Sequence, residues 1–210
     1  MFEVTPKRIA AMRRALVRLS APHVRAVSLS FLGDAELGAL RDMAARQRFR
    51  TAAPNIEYRG NNVRQDFDVC FPAPRDGVFN RFANCLETAL DAACSAIGQP
   101  PFSDRLQLND FAIQRYPEGS QGIGIHRDGK RYRGVVVIVT LDGVSRLFTC
   151  DDRDGRNMRT LDDSPGRIVL LSAAGFAGRE NEDARPLHGV DRVTGGRLSL
   201  GFCYLPPSAA

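Results

Sequence analysis

The sequence predicts an α+β fold that is mainly β: a jelly roll or sandwich of short strands backed by N-terminal helices. Three observations carry this expectation. Apolar residues recur at helical spacing over much of the first hundred residues. From about residue 105 the pattern changes to period two or to continuous apolar runs. Those runs are not interleaved with helices, which counts against a doubly wound parallel sheet. The 210 residues, 43% hydrophobic and 25% charged, suit a single domain. Residues 1–100 then supply helical support and substrate loops, and residues 101–210 the β core.

Each element has its own signal. Thr5-Pro6 reads as a cap with proline at the first helical position. Ile9, Met12, Leu16 and Leu19 share one face of that helix, and Pro22 stops it. Asp34 is placed to cap a second helix through Leu37, Leu40, Met43 and Ala44. Residues 50–77 hold Pro54, Gly60, Asn61, Asn62, Pro72 and Pro74. They read as an irregular segment long enough to be a lid or binding loop. A third helix is expected over 78–97, with Phe82, Leu86, Ala89, Leu90, Ala93 and Ile97 on one face and Gly98 as its stop. Strands are expected at 106–116, 122–126, 134–141, 144–150, 167–172 and 197–205. Asp142-Gly143 signals a hairpin between 134–141 and 144–150, and Asp154-Gly155 a second turn.

Composition excludes several classes. No stretch of 18 apolar residues exists, so no membrane span is expected. No apolar segment follows a basic start, so a cytoplasmic protein without a secretory leader is expected. Five cysteines without a CxxC pair argue against a disulfide framework and a thiolate zinc site. The net charge of +5 suits nucleic acid or an anionic substrate, and equally an arginine-rich solvated surface. Histidine is scarce: His23, His126 and His188 are the whole supply. Chemistry that needs two histidines has little choice.

His126-Arg127-Asp128 is an H-x-D pair. On extended backbone, residues i and i+2 project to one face, so an imidazole and a carboxylate converge. One more histidine completes a 2-His-1-carboxylate set, which ferrous iron takes while keeping positions open. His188 is the natural candidate, because His23 follows Pro22 between two helices. With 17 aspartates in the chain, an H-x-D pair arises readily by chance, so its context matters. Nine residues after His188, Arg197 opens a strand, with Ser199 on the same face. A guanidinium there suits a carboxylate, which it grips bidentately, and the serine can add a hydrogen bond.

Together these stretches resemble the iron(II)- and 2-oxoglutarate-dependent oxygenases. Gln114 to Asp128, QRYPEGSQGIGIHRD, is similar to the branch that demethylates alkylated nucleic acid, with its N-x-Y, glycine and I-G-x-H-x-D. His188 to Leu200, HGVDRVTGGRLSL, looks more like the prolyl-hydroxylase branch, with H-x-V, V-T and R-x-S. The resemblance spans about residues 106–205. It implies a double-stranded β-helix, a form of jelly roll, and the cofactors Fe(II), 2-oxoglutarate and O2. It also implies a catalytic metal site of His126, Asp128 and His188. Arg197 and Ser199 would hold the distal carboxylate of 2-oxoglutarate. Tyr116 would hydrogen-bond the co-substrate, and Gln114 stands where the demethylase branch has asparagine. The implied activity is oxidative hydroxylation of a small-molecule or peptide-like substrate, coupled to decarboxylation of 2-oxoglutarate to succinate.

Two departures bear on the substrate. The demethylase branch has a second arginine six residues after the first, and here that position is Cys203. This weakens the nucleic-acid alternative, and glutamine for asparagine is a milder change. A third alternative is a non-catalytic jelly-roll module that binds metal or ligand. Arg127, Lys130 and Arg131 crowd the metal motif and favour an anionic substrate if they rim the pocket. Tyr58, Arg59 and Asn62 could cover it from the 50–77 segment.

Overall fold

A computed structural model describes residues 2–58, 61–102 and 105–207. Thr5 begins the first helix as expected, its Oγ1 accepting from the Arg8 N–H at 3.3 Å with Pro6 at the first helical position. The helical layer is α1 (Pro6–Ser20), α2 (Asp34–Ala45) and α3 (Gly77–Ser95), with a short α4 (Asn181–Ala184) near the site. Gly33 rather than Asp34 is the cap of α2, and the Glu36 carboxylate accepts from its N–H at 3.1 Å.

The strands are β1 (Ala26–Ser30), β2 (Arg50–Thr51), β3 (Asn55–Tyr58), β4 (Asn61–Asp66) and β5 (Asp68–Cys70), followed by β6 (Asp110–Tyr116), β7 (Gly122–His126) and β8 (Arg133–Gly143). Then come β9 (Arg146–Cys150), β10 (Arg159–Thr160), β11 (Arg167–Ser172), β12 (Leu187–Asp191) and β13 (Arg197–Tyr204). Seven of them form one sheet in the order β1-β11-β8-β13-β6-β5-β2, and six form a second in the order β10-β9-β12-β7-β4-β3. This is the jelly-roll architecture that the sequence predicts.

The period of two sorts core from site. On β8, Val135, Val137 and Val139 pack towards the helices, while Val136 and Ile138 face the space between the sheets. Both faces are covered, which explains the unbroken apolar run GVVVIVTL. On β13, Leu198, Leu200 and Phe202 join the helical core, leaving Arg197, Gly201 and Cys203 to face inward. Phe202 stacks on Phe111 of β6 at 4.3 Å between centroids, with Phe79 and Phe82 of α3 beside them.

Two expectations are corrected. Asp142-Gly143 makes no hairpin, because β8 and β9 belong to different sheets. A jelly roll sends consecutive strands to opposite sheets, and a turn dipeptide cannot report which strand pairs with which. Gly143 has φ +100° and lies against Gly196, whose carbonyl oxygen would be 2.2 Å from any Cβ there. The segment 50–77 is not irregular. Four short strands occupy much of it, with β5 pairing with β6 and β4 with β7. Their polar sequence has little strand propensity of its own, and the neighbouring strands supply the order. Among the described residues no helix is long and apolar enough to cross a membrane.

Candidate metal centre and its two pockets

His126 ends β7 and His188 lies near the start of β12, and the two are direct cross-strand partners. Strand pairing thus joins residues that lie far apart in sequence, placing their rings 4.3 Å apart. Asp128 follows two residues after His126, at the start of the loop beyond β7. Its carboxylate lies 3.9 Å from Nε2 of His126 and 3.6 Å from Nε2 of His188. One donor atom from each residue falls within 4.8 Å of the others.

The tautomers are set by the backbone. Nδ1–H of His126 donates to the Gly124 carbonyl at 2.9 Å, and that of His188 to the Pro186 carbonyl at 3.2 Å. A carbonyl only accepts, so Nε2 of each ring keeps its lone pair for a metal. Burial, and after it the neighbouring His188, pushes the His126 pKa down to about 4, against the opposing pull of Asp128. The neutral imidazole is the ligating form. Close packing holds the two strands together here. A Cβ on Gly122, which has φ +78°, would meet the Val190 carbonyl oxygen at 1.8 Å.

Inside the jelly roll, a cavity of about 240 Å³ runs from the triad to Arg197. Inward-facing strand residues build it: Asp110, Gln114 and Tyr116 on β6, Val136 and Ile138 on β8, and Arg197 and Cys203 on β13. Tyr116 is buried, which raises its pKa above the ordinary phenol value, and its hydroxyl donates to Gln114 Oε1 at 3.2 Å. Arg197 is 3% exposed. Its Nη1 donates to Ser145 Oγ at 2.9 Å and to Asp163 Oδ2, while its Nε has no partner. A buried N–H without an acceptor is costly. A carboxylate on the Nε side of the guanidinium would satisfy it. Burial first, then the Asp128 and Asp110 charges, raises the Cys203 pKa, so the thiol is neutral. Two imidazoles and a carboxylate suit ferrous iron, and the unpaired Arg197 edge suits an organic acid.

Outside the triad lies a wider basin of about 610 Å³, which shares Ile123, His126 and Asp128 with the cavity. Its remaining lining includes Ile56, Val63 and Gln65, then Arg127, Lys130, Arg131, Arg153 and Arg185, with Glu182 among them. Two of these arginines also clasp the ligand-bearing segments together. Arg127 Nε donates to the Arg185 carbonyl at 3.0 Å, and Arg185 Nη1 donates to the Asp128 carbonyl at 2.6 Å.

The expected residues fall as follows. His126, Asp128 and His188 converge, and Arg197, Tyr116 and Gln114 line the inner cavity. Arg127, Lys130 and Arg131 line the basin. Ser199 is buried between Gln114 and Thr140 in the strand register but does not line the cavity, and the hydroxyl on Arg197 is that of Ser145. Asn62 does not line the basin either. It alternates with Val63 on β4, so the apolar neighbour faces the basin and Asn62 is exposed. Arg59 and the side chain of Tyr58 lie outside the described residues. Sequence reasoning missed Asp163, Ser145, Arg153 and Arg185. Each is a polar residue in or beside a turn, and only tertiary contact gives it a place.

No family model and no curated protein sequence matches the chain. Solved structures do match it over nearly their whole length. A prolyl-4-hydroxylase from Pseudomonas putida aligns with a TM-score of 0.62 at 17% identity, over 93% of this chain and 99% of that one. A prolyl hydroxylase from Trichoplax adhaerens, solved with a hypoxia inducible factor peptide, aligns with a TM-score of 0.66 at 13% identity, over 95% and 90%. OsALKBH1 aligns with a TM-score of 0.58 at 17% identity, over 85% and 97%. The chain has the double-stranded β-helix fold of these proteins.

Proposed function

We propose that the chain is an iron(II)- and 2-oxoglutarate-dependent oxygenase that hydroxylates a small-molecule or peptide-like substrate carrying an anionic group. One observation carries this reading: a His-His-Asp set stands where a narrow inner cavity, lined by an arginine with an unpaired Nε, meets a wider cationic basin. In the bound state the cofactors supply the oxidative chemistry, in which O2 yields one oxygen atom to a substrate C–H bond and one to succinate as 2-oxoglutarate loses carbon dioxide.

The chain's own residues position and protect. Nε2 of His126 and His188 and the Asp128 carboxylate would hold the metal, their orientation kept by the Gly124 and Pro186 carbonyls and by Arg185. Arg197 would receive the distal carboxylate of 2-oxoglutarate on its free edge. Tyr116, neutral through burial, has a hydroxyl in the same cavity to orient it. Val136, Ile138, Leu147 and Val190 keep the cavity walls apolar, which excludes competing water. Lys130, Arg131 and Arg153 at the basin rim would attract the anionic group of the substrate.

Peptide-like chemistry agrees with the likeness to a hydroxylase solved with a peptide. Demethylation of nucleic acid is favoured by the basic rim and by the likeness to OsALKBH1. The neutral Cys203 thiol, where that branch has a second arginine, tells against it. Anaerobic addition of iron and 2-oxoglutarate is expected to give a weak visible charge-transfer band, and oxygen then to release succinate. Absence of both overturns the reading. Metal binding without succinate leaves a non-catalytic module. Salt-sensitive binding to methylated single strands, with loss of the methyl group, replaces hydroxylation by demethylation.

A further inference from the structure

We infer that Asp163 is a positioning residue that sets how tightly Arg197 holds a dicarboxylate, by occupying the back of its guanidinium and opposing the charge of the incoming acid. The inference rests on the reading of Arg197 as the 2-oxoglutarate anchor. Asp163 lies in the loop before β11, is 9% exposed, and does not line the cavity. Its Oδ2 accepts from Arg197 Nη1 and from Thr140 Oγ1, the latter at 3.2 Å. Ser145 accepts from the same Nη1. The guanidinium is therefore held from behind by groups on two segments, and Nε on the other edge is left without a partner.

The loop that delivers Asp163 is itself fastened. The Leu161 N–H donates to the Leu147 carbonyl at 2.9 Å, and the Gly166 N–H to the Thr140 carbonyl at 2.9 Å. The hydroxyl of Ser164 closes onto the Asp162 carboxylate at 2.7 Å. The backbone is thus fastened on both sides of Asp163, and its carboxylate is held by Arg197 and Thr140.

Two effects follow, of opposite sign. Arg197 has one orientation before any ligand arrives, which favours binding because little ordering remains to be done. Arg197 and Asp163 together carry no net charge, so a bound carboxylate gains hydrogen bonds to the free edge but little net Coulomb attraction. It also feels the Asp163 carboxylate across the guanidinium, in a buried place where such repulsion is weakly screened. The arrangement selects for a group that can use the free edge, and it keeps the affinity for that group moderate.

Asp163→Asn keeps an acceptor for Nη1 and removes the charge. Calorimetry on Mn(II)-loaded protein without oxygen is expected to show 2-oxoglutarate binding at least about threefold tighter than in the wild type. Pyruvate, a 2-oxo acid without the distal carboxylate, is expected to show no such gain. Thr140→Val takes one donor from Asp163, throws more of its charge onto Arg197, and is expected to weaken 2-oxoglutarate binding about twofold. This variant serves if the asparagine variant does not fold. Wild-type protein that binds no 2-oxoglutarate overturns the anchor reading itself. Wild-type protein that binds it, with the Asp163→Asn variant binding it no tighter or gaining equally for pyruvate, overturns only the role of Asp163. Unchanged or tighter binding by Thr140→Val does the same.

Discussion

The inner cavity and the outer basin meet at the triad but are built by opposite means. Every polar group that faces the cavity from β6, β12 or β13 stands on a strand paired on both sides, where the ladder sets its height and the pleat its direction. The basin is lined largely by the turn after β7, by Arg153 in a loop and by Glu182 and Arg185 around α4, held through side-chain contacts to carbonyls and carboxylates. Under the proposed function, both histidines and Arg197 stand on paired strands, while Asp128 and the cationic rim stand on loops that Arg127 and Arg185 tie to them.

The contrast can be broken most directly at its hinge. His188→Ala removes one of two cross-strand imidazoles, and succinate release is expected to fall to background with loss of bound metal, read by elemental analysis. Turnover that persists removes the triad from the mechanism. Next in size is Arg197→Met, which deletes the one arginine that lines the cavity among the described residues. Its Kd for 2-oxoglutarate is expected to rise about a hundredfold by calorimetry, and a rise under threefold places the co-substrate elsewhere.

Gly122→Ala tests whether the ladder holds the site in place. The added methyl group meets the Val190 carbonyl on the strand that carries His188, at a φ of +78°. A loss of about 3 kcal/mol in stability is expected, seen as a lowered Tm. An unchanged Tm means that β7 and β12 are less closely set. The smallest effect belongs to the basin. Lys130→Glu is expected to raise KM for an anionic substrate about tenfold at low salt and less at high salt. A KM that does not respond to charge or salt makes the rim a solvated surface.

Much of the site was legible before any fold was known, for identifiable reasons. His126 and Asp128 are two residues apart, and the pleat alone makes them converge. His188 was reached because only three histidines exist, and Arg197 because a guanidinium in an apolar strand needs a partner. Asn62 and Ser199 are not among the residues that line the two pockets. Asn62 lay in a segment read as irregular, where the pleat could not be counted. Ser199 shares the inward face of β13 with Arg197, but it is buried between Gln114 and Thr140, and Ser145 from another segment supplies the hydroxyl on Arg197. Asp163 carried no signal, since an acid in a turn is common and its partner lies 34 residues along the chain.

The sequence by itself determined the succession of helices and later strands, the three residues that form the candidate metal site and the arginine proposed to hold an acid. These depend on local periodicity and on residue chemistry, which act over a few positions. Only the tertiary structure decided that β8 and β9 part to opposite sheets, that residues 50–70 extend both sheets, and that Arg197 faces the cavity with Asp163 behind it. Those outcomes depend on pairing between distant strands, where backbone hydrogen bonds and packing choose among partners that look alike in sequence.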